Sequence, residues 1–194
     1  MGPMFAGKTT ALLEQVRAAE AAGLRVAVVT SALDNRYGVR QCISHAGESR
    51  SALAVSELTS LMQHTKGSQH WDIDSMQWDI DSIDVIAIDE SQFFPDLADF
   101  VHYAVDVHRK KVIVAGLSGD YKRRSFGQIV SLVPQADSVE FLKARCNYCE
   151  MPASFTLRLV ANEQQQLIGG AAAYQPVCRE HYASLANVAD EMSD

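Results

Sequence analysis

Apolar runs of strand length alternate along this chain with stretches of helical spacing. Leu24 to Thr30 (LRVAVVT), Asp84 to Asp89 (DVIAID) and Lys111 to Ala115 (KVIVA) are continuous and rich in valine and isoleucine. Such runs suit parallel strands covered on both faces. Ser138 to Ala144 reads as a further strand, and Ala52 to Val55 as a short one. Thr9 to Ala22 carries Leu12, Leu13 and Val16 at helical spacing, with Gly23 as its stop signal. Ser56 can cap a helix through Met62, and Asp96 a helix whose apolar stripe is Leu97, Phe100, Val101, Ala104 and Val105. Strand and helix in alternation predict an α/β fold, a parallel sheet with helices on both faces. The last quarter changes character: ASFTLRLV and QQQLIG alternate apolar and polar residues about Asn162-Glu163, which predicts a β-hairpin.

The first helix is preceded by MGPMFAGKTT. Gly2, Gly7, Lys8 and Thr9 fit the phosphate-binding loop G-x-x-x-x-G-K-[ST], with Pro3, Met4, Phe5 and Ala6 as the variable positions. In such a loop backbone N–H groups cradle nucleotide phosphates, the Lys reaches the outer ones and the hydroxyl faces Mg²⁺. The motif needs strand–loop–helix context, and only Met1 precedes Gly2. A natural reading frame starting upstream, with about six more β-forming residues, is therefore expected. The run DVIAID ends in Asp89-Glu90; an acid there can hold Mg²⁺ and a second can take the acceptor's proton. Two polar segments remain open to a bland reading. Ser31 to Glu48, with Asp34, Arg36, Tyr37 and His45, is either a functional loop or a solvated one. Gly116 to Gly127 (GLSGDYKRRSFG) either wraps a ligand with aromatic faces and positive charge or is an ordinary glycine-rich connection.

Cys146-x-x-Cys149 and Cys178-x-x-His181 form two knuckles of the spacing that holds a closed, structural zinc. Four protein ligands leave no open position for catalysis. Cys42 reads as a small, partly buried residue. The repeat WDIDS at 71–75 and 78–82 reads as a tandem duplication in a surface insertion. A length of 194 residues, 47% hydrophobic, supports one main core and a small appended module, divided here as 1–145 and 146–194. No run approaches a membrane span and no export leader opens the chain, so a cytoplasmic location is expected. A net charge of −7 disfavours a protein whose main partner is nucleic acid.

Taken together, these motifs closely resemble the type II thymidine kinases, from Gly2 to about Tyr182. The residues that carry the resemblance are GPMFAGKTT, DNRY at 34–37, IDESQFF at 88–94, GDYKRRSFG at 119–127, the CxxC, IGG at 168–170 and YQPVCREH at 174–181. The resemblance implies a RecA-like P-loop sheet beside a small zinc-binding β-hairpin domain, and phosphoryl transfer from Mg-ATP to the 5′-hydroxyl of thymidine. It implies Glu90 as proton acceptor, Asp89 and Thr9 at the Mg²⁺, and Lys8 on the donor phosphates. Asp34 and Arg36 match positions that approach metal and phosphates. Met4, Phe93, Leu117, Tyr121, Phe126 and Tyr174 match the nucleoside pocket, and backbone groups at Gln165, Gln166, Leu167, Ile168 and Gly169 the thymine edge. Feedback inhibition by dTTP and a homotetramer are further implied.

The sequence departs from the family at Ser118, where many members carry Asp, at His181, where animal members carry Cys, and at the WDIDS insertion. The alternatives are an N-terminally short, weakly active member, and a P-loop ATPase whose zinc module binds nucleic acid.

Overall fold

The computed structural model describes residues 1–33, 41–43, 47, 49–62 and 79–191. Helix α1 (Lys8–Ala21) starts at Gly7, whose φ of 77° is left-handed, and runs out before Gly23 at φ 81°. Strand β1 (Val26–Ser31) follows, then a small hairpin of β2 (Gln41–Ile43) and β3 (Ser49–Ser51), and the edge strand β4 (Leu53–Val55). The stretch after Ser56 is a 3-10 turn, Leu58–Met62, rather than an α-helix. Strand β5 (Val85–Ile88) leads to helix α2 (Leu97–His102), which continues as a π-helical stretch, Tyr103–Val107, into β6 (Lys111–Val114). Asp96 does not cap α2; its carboxylate instead accepts from the Thr59 amide at 2.7 Å and ties α2 to the 3-10 turn.

The main sheet has the order β4-β1-β5-β6, all parallel, so sequence neighbours are joined by crossovers. Period-two alternation on β1 splits its side chains between two cores. Val28 joins Leu12, Leu13 and Val16 of α1 on one face, while Ala27 and Val29 join Phe94, Leu97 and Phe100 on the other. Every residue of β5 is fully buried, as expected for a central strand. β6 is not: Val112, Ile113 and Val114 are only half-buried.

An open lane runs beside β6. Gly2 makes a single parallel bridge to Leu117, just beyond β6, and Met1 is bonded on its other side: its carbonyl accepts from Leu142 N at 2.9 Å and its amine donates to Glu140 O at 2.8 Å. Met1 and Gly2 therefore occupy a strand position between two walls. Behind them the lane continues as a slot of about 530 Å³ between β6 and residues 137–142, floored by Val101, Val105 and Leu132. The run Ser138 to Ala144 consequently contributes only Ala144 to a strand, β7 (Ala144–Arg145), which pairs with β8 (Pro152–Ala153) around the CxxC. Gly2 is required by packing, since a Cβ there would strike the Leu142 carbonyl oxygen.

In the C-terminal part, β9 (Phe155–Arg158) pairs antiparallel with β10 (Tyr174–Val177), and α3 (Arg179–Glu191) follows. A hairpin forms, but its second arm is 174–177 and not QQQLIG. Residues 164–169 are irregular because their carbonyls are engaged by side chains rather than by a neighbouring strand. A separate small core joins Ala144, Cys146, Ala153, Leu157, Val177 and Tyr182. Among the described residues no helix is long and apolar enough to cross a membrane.

Candidate active site

One cleft receives the loop before α1, the end of β5, the loop after β6 and the long connection between β9 and β10. At its inner end lie Lys8 and Thr9. Gly7 and Phe5, both at positive φ (77° and 63°), give the loop its tight course, and the amides at the start of α1 lack carbonyl partners within the helix. Lys8 Nζ donates to Pro3 O at 2.7 Å, so the cation is folded over its own loop. Thr9 Oγ1 donates to Asp89 Oδ2 at 2.9 Å. That short bond joins the helix start to the strand end, between residues 80 positions apart in the chain. Cys42 also reaches Asp89, its thiol 3.2 Å from the same oxygen; it is buried at 2% exposure and belongs to the site's back wall. Burial, and then the neighbouring Glu90 charge, push the Asp89 carboxyl up to about 6. A buried acid with that penalty beside a threonine hydroxyl is a donor set suited to Mg²⁺, whose charge would return it to the ionised form.

Glu90 follows at φ 50°, a left-handed conformation that a non-glycine residue adopts at a cost. The strain turns its side chain away from the sheet and into the cleft. Gln92 holds it there: its Nε2 donates to Glu90 Oε2 at 2.5 Å, while its Oε1 accepts from Leu117 N at 3.0 Å. Gln92 is 4% exposed and thus a fixed spacer between the carboxylate and the loop after β6. Nothing in the sequence pattern singled it out within IDESQFF. Gly127 is required beside it, at φ 65° with a Cβ position 2.5 Å from Gln92 O.

The outer part of the cleft is aromatic. Phe93 and Phe126 meet edge to face at 5.7 Å, and Met4, Leu117, Tyr121 and Tyr174 complete the apolar wall. Gln165, Gln166, Leu167, Ile168 and Gly169 line the opposite side. Asp120, unremarked in the sequence reading, orders the GDYKRRSFG loop: its carboxylate accepts from the Lys122 and Arg124 amides and from Arg124 Nε, and from Gln165 Nε2 across the cleft. Gly2, Pro3 and Ala6 lie in the loop backbone behind the cleft rather than on its lining. Asp34 and Arg36 lie outside the described residues, as do Tyr37, His45 and most of the WDIDS repeat.

The four knuckle residues converge. One donor atom each from Cys146, Cys149, Cys178 and His181 falls within 4.8 Å of all the others. The Cys149–Cys178 sulfurs are 3.8 Å apart, and Cys178 Sγ and Cys146 Sγ lie 3.2 and 3.6 Å from His181 Nδ1. A tetrahedron with Zn–S of ~2.3 Å has S···S edges of ~3.8 Å, so the set fits zinc as it stands. Although burial opposes it, amide donors at Cys178, Tyr148 and Cys149 bring the Cys146 thiol down to about 6, favouring the thiolate that binds metal.

The family model for thymidine kinase matches residues 1–182. The chain belongs to the thymidine kinase family. It is 48% identical over 183 residues to a thymidine kinase of Oryza sativa subsp. japonica, an alignment covering 94% of this chain and 64% of that protein. It is 43% identical to thymidine kinase a of Arabidopsis thaliana over 94% of this chain and 72% of the relative. To the cytosolic thymidine kinase of Homo sapiens it is 37% identical, over 94% and 70% of the two chains. The chain thus spans somewhat under two thirds of the rice relative's length. Membership fits the α/β fold with its P-loop and the Cys₃His cluster.

Proposed function

We propose that this chain is a thymidine kinase, transferring the γ-phosphoryl group of ATP to the 5′-hydroxyl of thymidine. The observation that carries this reading is Glu90, strained into the cleft and clamped by Gln92 at the boundary between the lysine loop and the aromatic wall. A carboxylate there stands between a donor phosphate and a nucleoside hydroxyl. The 5′-oxygen attacks the γ-phosphorus, the bond to the β,γ-bridging oxygen breaks, ADP departs and the hydroxyl proton passes to Glu90. Lys8 swings from Pro3 O to the outer phosphates, and the amides around Ala6 and Gly7 bind phosphate oxygens. Thr9 and Asp89 would hold Mg²⁺, which neutralises phosphate charge when bound. Asp34 and Arg36 are assigned to the same end of the site by family position.

Thymine is uncharged, so its recognition falls to aromatic faces and peptide groups. Phe93, Phe126, Tyr121 and Tyr174 supply the faces, with Met4 and Leu117 packing the sugar, and residues 165–169 supply the edge. The zinc knuckles, holding Cys149 and Cys178 together, keep both ends of that connection in place as a small module, 146–194, beside the nucleotide-binding part. On this reading the protein works in the cytoplasm in nucleoside salvage for DNA synthesis. It is a homotetramer inhibited by dTTP, and it serves neither membrane nor nucleic acid.

The test is transfer of labelled γ-phosphate to thymidine and to deoxycytidine in parallel, using folded, zinc-replete protein. Label in thymidine monophosphate is the expected result. No transfer to thymidine, together with DNA-stimulated ATP hydrolysis, would replace this reading with the ATPase one.

A further inference from the structure

Arg158 ends β9 and is only 8% exposed, with its Cα in register with Tyr174 at the start of β10. These two residues stand at the neck of the connection 159–173. The two Nη groups of the guanidinium donate to that connection and its neck, while Nε is buried without a partner among the described residues. Nη1 donates to Asn162 O at 2.7 Å and to Gln164 O at 2.5 Å; Nη2 donates to Gln165 O at 3.1 Å and to the Tyr174 hydroxyl at 2.7 Å. The Tyr174 hydroxyl in turn donates a hydrogen bond to Leu167 O at 2.7 Å. The Tyr121 ring lies 3.6 Å from the guanidinium carbon, and its hydroxyl donates toward Asn162 O and Glu163 O at 3.3 and 3.2 Å. Among the described residues no carboxylate pairs with Arg158; oxygen lone pairs and two aromatic faces take its charge, the second being Tyr174 at 5.2 Å.

This arrangement has a directional result. A trans peptide plane carries its C=O and the next N–H on opposite sides. Carbonyls of Gln164, Gln165 and Leu167 drawn to Arg158 and Tyr174 therefore turn the amides of Gln165, Gln166 and Ile168 away from the guanidinium. All three of those residues line the cleft. We propose that Arg158 is the positioning residue that sets the nucleoside lid, fixing the peptide planes of 164–168 so that their amides are presented to the base. For the identity of the ligand this rests on the thymidine reading; for the order of the lid it stands on the bonds alone. Lysine cannot replace the arginine, because one ammonium lacks the planar fork that reaches three carbonyls and a hydroxyl while stacking on Tyr121.

The experiment compares the wild-type protein with Arg158→Lys, Arg158→Gln and Tyr121→Leu, each zinc-replete. Hydrogen exchange of the amides in 159–173 is measured without substrate, and KM and kcat with it. We expect exchange in 159–173 to rise about tenfold or more in both Arg158 variants, with β5 amides and zinc stoichiometry unchanged. The thymidine KM should rise roughly 10- to 100-fold, with kcat and the ATP KM within a few-fold of wild type. Unchanged exchange in 159–173, or a wild-type thymidine KM in Arg158→Lys, overturns the proposal, and so does an equal rise throughout β5. If the Arg158 variants do not fold, Tyr121→Leu is compared with Tyr121→Phe, which loses the hydroxyl bonds to Asn162 O and Glu163 O but keeps the ring under the guanidinium: faster lid exchange in Tyr121→Leu than in Tyr121→Phe supports the proposal, and equal exchange in the two rejects it. A wild-type protein inert toward thymidine would sink the proposed activity while leaving the exchange comparison readable.

Discussion

Glu90 combines a backbone cost with a side-chain restraint, and each half makes a separate prediction. On the proposed mechanism Glu90→Gln preserves the shape and removes the group that takes the proton, so kcat should fall by roughly 10²–10⁴ with both KM values nearly unchanged, as read by steady-state kinetics. Gln92→Leu acts differently: it releases the carboxylate and leaves the Leu117 amide without its acceptor. The expected cost is about 1–3 kcal/mol in denaturant unfolding, accompanied by lost activity. The convergence of residues was legible in the sequence wherever a motif fixes both type and spacing, as for Lys8, Thr9, Asp89 and Glu90 around one cleft and for the four knuckle residues. Gln92, Asp120, Cys42 and Arg158 were not, because no motif singles them out and each has at least one partner that only the fold brings near: Leu117 for Gln92, Gln165 for Asp120, Asp89 for Cys42 and Tyr121 for Arg158.

At the scale of elements, strand order follows from buried runs, and the first turns of β1 and β5 are pinned together at their exposed ends. Arg25 and Asp84 exchange backbone and side-chain bonds there, with Arg25 N and Nε 2.9 and 3.0 Å from Asp84 Oδ2. The Arg25 side-chain bond, foremost, brings the Asp84 carboxyl down to about 2. A folded-state value below the unfolded one contributes stability that is present above pH ~4 and is lost as pH falls toward 2. Melting temperature against pH should therefore drop less steeply below pH 4 in Asp84→Asn, and the difference should shrink in high salt. The zinc knuckles act on a different element. Chelation, or Cys149→Ala, should loosen β7 to α3 and raise the thymidine KM before α1 and β5 lose exchange protection, since a zinc held by the four knuckle residues would join two segments that have their own small core. The hairpin was legible only in its first arm: β9 alternates cleanly, whereas the connection after it carries side-chain bonds to its carbonyls that no alternation encodes.

Over the whole molecule, the parallel sheet and the two-faced core were readable from runs of valine and isoleucine. What the sequence did not disclose is that Met1 and Gly2 are bonded on both sides, with a slot running on behind them. A β-forming hexapeptide placed before Met1 should enter that slot beside β6. Each ordered residue costs about 1.5 kcal/mol and a buried valine or isoleucine returns ~1.5–3, so the net gain is a few kcal/mol, about 5–10 °C in melting temperature. A Gly-Ser extension of the same length should give none of it. Calorimetry on the two extensions distinguishes them.

The slot also bears on how copies of this chain meet one another. Its walls are extended backbone bordered by half-buried Val112 and Val114 and by exposed Val133 and Val139, a surface that accepts any extended segment of suitable pattern. At high concentration the commonest such segment is another molecule's partly unfolded strand. Loss of monomer in the tube would then be second order, its half-life shortening in inverse proportion to protein concentration, and a short valine-rich peptide in solution would act as a preservative.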